Sequence, residues 1–258
     1  MLNPILFQIG PFAIRWYGVM YILGISSGFA FVWAELKTRF GLSSDQLYSL
    51  VTTVMLGIFI GGRVGYVVIY DFAYYAAHPL EIFQYWHGGM SYHGGALGCA
   101  LAFGWFSVKH RLPVWALLDY LGIGSTFGLG LGRIGNFING ELYGRVTTMP
   151  WGVVFPDGGL LPRHPSQLYQ SLTEGLLLFL ILWSLKKRVN LKEGQLFAAY
   201  LMGYGVFRFC TEFFREPDAQ LGFVVANLSM GQVLCLGMVI MGTVLWWKKK
   251  APIPNPFP

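Results

Sequence analysis

Charge is what this sequence has least of. Of 258 residues, 18 are Lys or Arg and 12 are Asp or Glu, only 12% in all. A soluble domain carries about 25% charged residues. A water-facing surface of this size could not be covered by so few. Cysteine is scarce too: Cys99, Cys210 and Cys235 are the three present. Each lies in an apolar run with no partner at a metal or redox spacing, which excludes a disulfide scaffold and leaves them as small core residues. The five histidines include no pair with the spacing of a zinc or facial-triad motif. No metal and no cofactor are therefore expected. A net charge of +6 with pI about 9.2 could signal nucleic acid, but the sparse charge and its placement exclude a nucleic-acid partner. The apolar content of 55% excludes a disordered chain.

What is present is apolar and aromatic. Aromatics make up 17% of the chain, and mean hydropathy is +0.52. A membrane-spanning helix needs about 20 mostly apolar residues. Seven stretches of this kind occur, at roughly 14–36, 48–70, 94–109, 113–135, 166–185, 195–214 and 226–247. The expectation is an all-α, polytopic helix bundle in a lipid bilayer, a single integral membrane domain over 1–258. Outward-facing loop or head segments fall at 71–93 and 136–165. The first residues lack a basic stretch and a small-residue cleavage site, so no removed signal peptide is expected.

The basic residues fall into two populations. The lysines are Lys37, Lys109, Lys186, Lys187, Lys192, Lys248, Lys249 and Lys250. With seven spans they all lie on one side, joined by Arg39, Arg111 and Arg188. The positive-inside rule makes that side cytoplasmic, with the N-terminus outside and the C-terminus inside. The remaining basic residues are Arg15, Arg63, Arg133, Arg145, Arg163, Arg208 and Arg215. They lie within spans or toward the outer side. A guanidinium stays charged and offers a planar fork suited to phosphate and carboxylate. An anionic ligand on the outward half is the reading that follows.

Polar residues in the spans are concentrated in a few places. Gly132-Arg133-Ile134-Gly135-Asn136-Phe137-Ile138-Asn139-Gly140-Glu141 follows the fourth apolar span and leads into Leu142-Tyr143-Gly144-Arg145. Ionisable groups at membrane depth are costly and normally line a cavity or pair with one another. Arg208, Glu212 and Arg215 stand at i, i+4 and i+7 and share one helix stripe. Its single carboxylate leaves a positive balance. His93 lies among glycines in Gly88-Gly89-Met90-Ser91-Tyr92-His93-Gly94-Gly95, and Tyr17 in Arg15-Trp16-Tyr17-Gly18. Two bare patterns are set aside. Gly130-x-Gly132-x-x-Gly135 has no preceding strand, so it is not a dinucleotide site. Gly24-x-Ser26-x-Gly28 sits inside an apolar span and reads as helix packing. Gly57, Gly61 and Gly65, and Gly124, Gly128 and Gly132, also form small-residue faces for close helix contact.

These segments, together with Gly61-Gly62-Arg63-Val64-Gly65-Tyr66, Arg163-His164-Pro165-Ser166-Gln167-Leu168-Tyr169 and Glu212-Phe213-Phe214-Arg215-Glu216-Pro217-Asp218, resemble the prolipoprotein diacylglyceryl transferases along nearly the whole chain. The resemblance implies a bacterial inner-membrane enzyme. Such an enzyme moves the diacylglyceryl group of phosphatidylglycerol onto the lipobox cysteine in the signal peptide of a prolipoprotein. A thioether forms and glycerol 1-phosphate leaves. It also implies His93, Arg133, Glu141 and Arg208 as the catalytic set. Tyr17, Arg63, Asn136, Asn139, Gly144, Glu212 and Arg215 are implied on the substrate side. The active site would face outward. A transporter for an anionic lipid would also place arginines in a bundle. Its usual mark, an internal repeat with paired broken helices, is not found in the sequence. A purely structural scaffold would not need so many outward intramembrane charges.

Overall fold

In hydrocarbon every backbone N–H and C=O must find its partner within the segment, so long apolar stretches become helices. The computed structural model describes residues 3–10, 12–84, 88–216, 223–225 and 228–248. A helix occupies each of the seven apolar stretches. They are α1 (Trp16–Phe40), α2 (Ser44–Ile69), α4 (Tyr92–Lys109), α5 (Val114–Asn139), the run Ser166–Arg188, α8 (Gln195–Glu212) and α9 (Met230–Lys248). Five of these are long and apolar enough to cross a membrane: α1, α2, α5, Ser166–Arg188 and α9. The run Ser166–Arg188 is not uniform. It begins as α6 (Ser166–Gln170), widens into a π-helix over Ser171–Leu177, and continues as α7 (Leu178–Arg188). Large apolar side chains such as Ile69, Leu101, Val108 and Trp247 lie exposed on the helix surfaces, as a membrane bundle requires.

The loops hold more structure than the hydropathy pattern suggests. A short helix α3 (Phe72–Ala77) and a 3-10 turn (Pro79–Phe83) fill much of 71–93. Helix α5 runs on to Asn139, so Asn136 and Asn139 are helical rather than in a loop. Phe137 and Ile138 extend the apolar pattern through that turn, and Gly140 ends it with φ of 75°, the left-handed conformation that glycine adopts without strain. Two small antiparallel pairs complete the structure: β1 (Ile5–Ile9) with β2 (Phe12–Arg15), and β3 (Phe223–Val225) with β4 (Leu228–Ser229).

The chain divides into two compact units, residues 1–32 with 118–258, and residues 33–117. The larger unit has an apolar core of Ile123, Leu178, Leu182, Leu196 and Ala199, flanked by Phe31 and Phe179. Within it, Gly24 faces Gly128 and Gly28 faces Gly124, where added β-carbons would collide with backbone. The glycine face of α5 and the Gly24-x-Ser26-x-Gly28 segment are thus packing surfaces. Asp119 of α5 accepts from the backbone N–H of Gly194 and of Phe197, both at 2.8 Å, and so caps the start of α8.

In the smaller unit, Gly57, Gly61 and Gly65 of α2 lie against Gly94 and Gly98 of α4. Ser43 and Gln46 form a reciprocal capping box at the start of α2. The Ser91 hydroxyl accepts from the Gly94 N–H at 3.1 Å and starts α4. Outside the helices that span, Tyr74 donates to Glu81 at 2.7 Å. That hydrogen bond holds the phenol above its ordinary pKa.

Candidate active site

The larger unit brings four of the expected residues, Arg133, Arg208, Glu212 and Arg215, into one largely buried cluster. Arg133 projects from α5 at 3.7 Å from Glu174. Glu174 sits in the π-helix and is 0% exposed. It is brought there by a glycine contact: Gly175 lies so close to Gly130 that an added β-carbon would stand 2.6 Å from the Gly130 Cα. The Ser171 hydroxyl donates to the Gly130 carbonyl at 2.9 Å beside it. Widened turns of this kind occur frequently at functional sites.

Helix α8 supplies the opposite part of the cluster. Arg208 is ion-paired with Glu212, one turn further along. Glu212 also takes Arg215 at 3.4 Å and the Ser229 hydroxyl at 3.1 Å. Thr211 links the two carboxylate regions, its hydroxyl lying 3.3 Å from Glu174 and 3.2 Å from the Arg208 carbonyl. Ser229 is itself held at the start of α9, where its N–H donates to Gln232 at 3.0 Å. Among the described residues, three guanidiniums thus stand with two carboxylates. Burial of so many charges is expensive unless each is paired or hydrogen-bonded.

Beside this cluster, Glu141 is fixed by amides. Asn136 donates to its Oε1 at 2.8 Å, with Asn139 at 3.4 Å. Its backbone carbonyl accepts from the Gln167 amide at 2.6 Å. Glu141, Asn139, Tyr17, Arg15, Ala13 and Ile14 border a cavity of about 630 Å³ at the junction of β2, α1 and the end of α5. The Tyr17 ring lies 4.8 Å from Tyr21, and Gly135 faces the Tyr17 Cα so closely that a β-carbon would stand at 3.2 Å.

The segment after Glu141 is a small head held by a backbone ladder. Gly144 N–H donates to the His164 carbonyl at 2.9 Å, His164 N–H to Arg145 at 3.0 Å, and Arg145 N–H to Phe214 at 2.9 Å. Arg163 donates from Nε to the Gly158 carbonyl at 2.7 Å and pairs with Glu216 at 2.9 Å. His164 Nδ1 meets the Tyr169 hydroxyl at 3.1 Å. Gly144 sits where a β-carbon would be 2.5 Å from the Phe214 carbonyl oxygen and 2.6 Å from His164. No other residue fits that position without movement.

Arg63 and His93 belong to the smaller unit. Arg63 is buried there, donating to the carbonyls of Ile82 and Gly88, both at 2.7 Å, of Glu81 at 2.8 Å and of Gly89 at 3.0 Å. Its guanidinium also lies over the Tyr75 ring. The backbone of His93 forms the first turn of α4, and its side chain lies outside the described residues. Among the described residues, no group of three or more His, Cys, Asp or Glu side chains is arranged to hold a metal.

A family model described as prolipoprotein diacylglyceryl transferase matches residues 4–248. The chain belongs to this family. A phosphatidylglycerol–prolipoprotein diacylglyceryl transferase of Aliivibrio salmonicida is 50% identical over 248 residues, covering 95% of this chain and 86% of the relative. A protein of the same name from Desulfotalea psychrophila is 47% identical over 252 residues, covering 95% of this chain and 93% of the relative. One from Pasteurella multocida is 48% identical over 250 residues, covering 94% and 90%. Among the residues around the site, sequence reasoning passed over Glu174, Thr211 and Ser229, and Gln167 was visible only as part of its motif. Glu174 did leave a signal, as the single acid in an otherwise apolar spanning run.

Proposed function

We infer that this chain performs the reaction its relatives are named for. It transfers the diacylglyceryl group of phosphatidylglycerol to a prolipoprotein. The observation that carries the mechanism is the positive cluster of Arg133, Arg208 and Arg215 with Glu174 and Glu212, buried next to the amide-held Glu141.

In our reading, Arg133 and Arg208 hold the phosphodiester of phosphatidylglycerol. Glu212 fixes the direction of Arg208, and Asn136 and Glu141 shape the adjoining wall. The lipobox cysteine of the signal peptide supplies the nucleophile, as thiolate. Cationic surroundings favour a thiolate over a thiol. The sulfur attacks the glyceryl carbon bonded to the phosphate ester. A C–S bond forms, the C–O bond breaks, and its electron pair passes to the phosphate oxygen. Glycerol 1-phosphate leaves with more negative charge than the diester carried. Fixed guanidiniums aimed at that developing charge lower the barrier, and losing one such donor typically costs about 10²–10³ in rate. Tyr17, Asn139 and the cavity they border offer a place for the glyceryl end of the lipid.

His93 is our candidate general base, because an ordinary histidine titrates near neutrality. The basic last turns of α1, α4, α7 and α9 support a cytoplasmic lysine side, with the site outward in a bacterial inner membrane.

Two measurements test the roles. Arg133→Lys keeps the charge but loses the fork, so turnover of labelled phosphatidylglycerol should fall about 10²-fold. Unchanged turnover would remove Arg133 from phosphate recognition. His93→Gln should lower transfer and abolish the acid limb of its pH profile. A wild-type rate and profile would eliminate it as the base.

A further inference from the structure

The two buried carboxylates of the cluster keep different company. Glu212 pairs with two guanidiniums, Arg208 and Arg215, and its Oε1 accepts from the Ser229 hydroxyl. Among the described residues, Glu174 has one guanidinium within ion-pair distance. Its Oε1 meets the Thr211 hydroxyl at 3.3 Å, while its Oε2 is fully buried without a hydrogen bond among the described residues. Arg133 lies 3.7 Å from that oxygen, well beyond the ~2.7–2.9 Å of a charge-assisted hydrogen bond. Arg133 is therefore neutralised by Glu174 but its fork is not tied up. Thr211 is also poised between two acceptors, Glu174 and the Arg208 carbonyl at 3.2 Å. A hydroxyl carries one proton and serves one of them at a time.

The backbone explains why the carboxylate sits so. Gln167, Gln170 and Glu174 stand at i, i+3 and i+7, and all three are completely buried. The π-helix begins just after Gln170 and carries Glu174 within its widened turn. Such an insertion sets the direction of a side chain that a regular helix would place elsewhere.

We propose that Glu174 is a positioning residue, the resting counter-ion from which Arg133 is released when phosphate binds and to which it returns when glycerol 1-phosphate departs. The proposal rests on the assignment of Arg133 and Arg208 to the phosphate. Glu174 competes with the anion for Arg133. It keeps the guanidinium aimed in the empty site and speeds product release. Its removal should therefore tighten anion binding and slow turnover together. A role limited to holding the helices would not do this.

The test is steady-state transfer by the purified protein in phosphatidylglycerol-containing micelles, with glycerol 1-phosphate as added product. Glu174→Gln should lower KM for phosphatidylglycerol and the inhibition constant of glycerol 1-phosphate by about fivefold or more, the lower end of ordinary site-to-site coupling. Its kcat should fall as well. Unchanged or raised values of both constants would overturn the proposal. Thr211→Val is the second variant, and decides the matter if Glu174→Gln does not fold. Without the hydroxyl, the carboxylate turns fully onto Arg133 and competes harder, so both constants should rise. If they stay at wild-type values, Glu174 is no counter-ion. If the wild-type protein is insensitive to glycerol 1-phosphate and Arg133→Lys turns over normally, the phosphate assignment itself fails and takes this proposal with it.

Discussion

Three single residues separate what a side chain is from what it is used for. Arg63 is expected on the substrate side from its motif, and every contact described for it is within its own unit. It spends its donors on the carbonyls of Glu81, Ile82, Gly88 and Gly89. A lysine has fewer donors and no fork. Arg63→Lys should therefore destabilise the protein by about 2–3 kcal/mol, the scale of charged hydrogen bonds lost, read as a lower thermal unfolding midpoint in detergent. An unchanged midpoint would show that the loop holds without the fork. Gly144 is legible as a motif residue, but its reason is not. That reason is the backbone of His164 and Phe214 on either side, contributed by segments distant in the chain. Gly144→Ala should force the ladder apart at a cost of about 1–3 kcal/mol and reduce transfer more than a change at an exposed head residue such as Leu160. Glu174 shows the opposite case. One acid in an apolar run reads as an exception until burial and Arg133 give it a partner.

At the scale of elements, hydropathy locates every long helix. It does not give the packing partners, although the glycine spacing announces which faces will pack. The face of Gly57, Gly61 and Gly65 meets Gly94 and Gly98, where the α2 and α4 backbones touch. Gly98→Ala would place a methyl group onto the Gly57 carbonyl and push the helices apart. A loss of about 1–3 kcal/mol is expected. Gly104→Ala in the same helix is the control, since a β-carbon there meets nothing within 4 Å. It should be neutral or stabilising by up to about 1 kcal/mol, because alanine favours the helix over glycine. Equal effects of the two would contradict close α2–α4 contact. The π-helix is not legible at all. Hydropathy reads an apolar run as a regular helix, and a single widened turn changes neither its length nor its composition.

For the whole molecule, the scarcity of charge is the most informative property. It fits a multi-pass membrane protein with long apolar helices, and three of the arginines that the sequence sets apart from the lysines meet in the polar cluster. The division into two units, the short elements within 71–93 and the head ladder stay hidden in the sequence because they depend on pairings between distant segments. Local hydropathy carries no record of those. The cluster itself is legible only in halves. Arg133 to Glu141 and Arg208 to Arg215 are visible as separate motifs. Their meeting through Glu174, Thr211 and Ser229 is a fact of packing.

The central claim is that this buried positive cluster serves group transfer from an anionic lipid to a thiol. Purified protein incubated with phosphatidylglycerol and a lipobox peptide tests it most directly, with the peptide mass and the released phosphate ester measured together. The expected result is a diacylglyceryl adduct on the peptide cysteine and an equal amount of glycerol 1-phosphate, both lost when the cysteine is replaced by serine. Lipid scrambling or uptake with no adduct would contradict it.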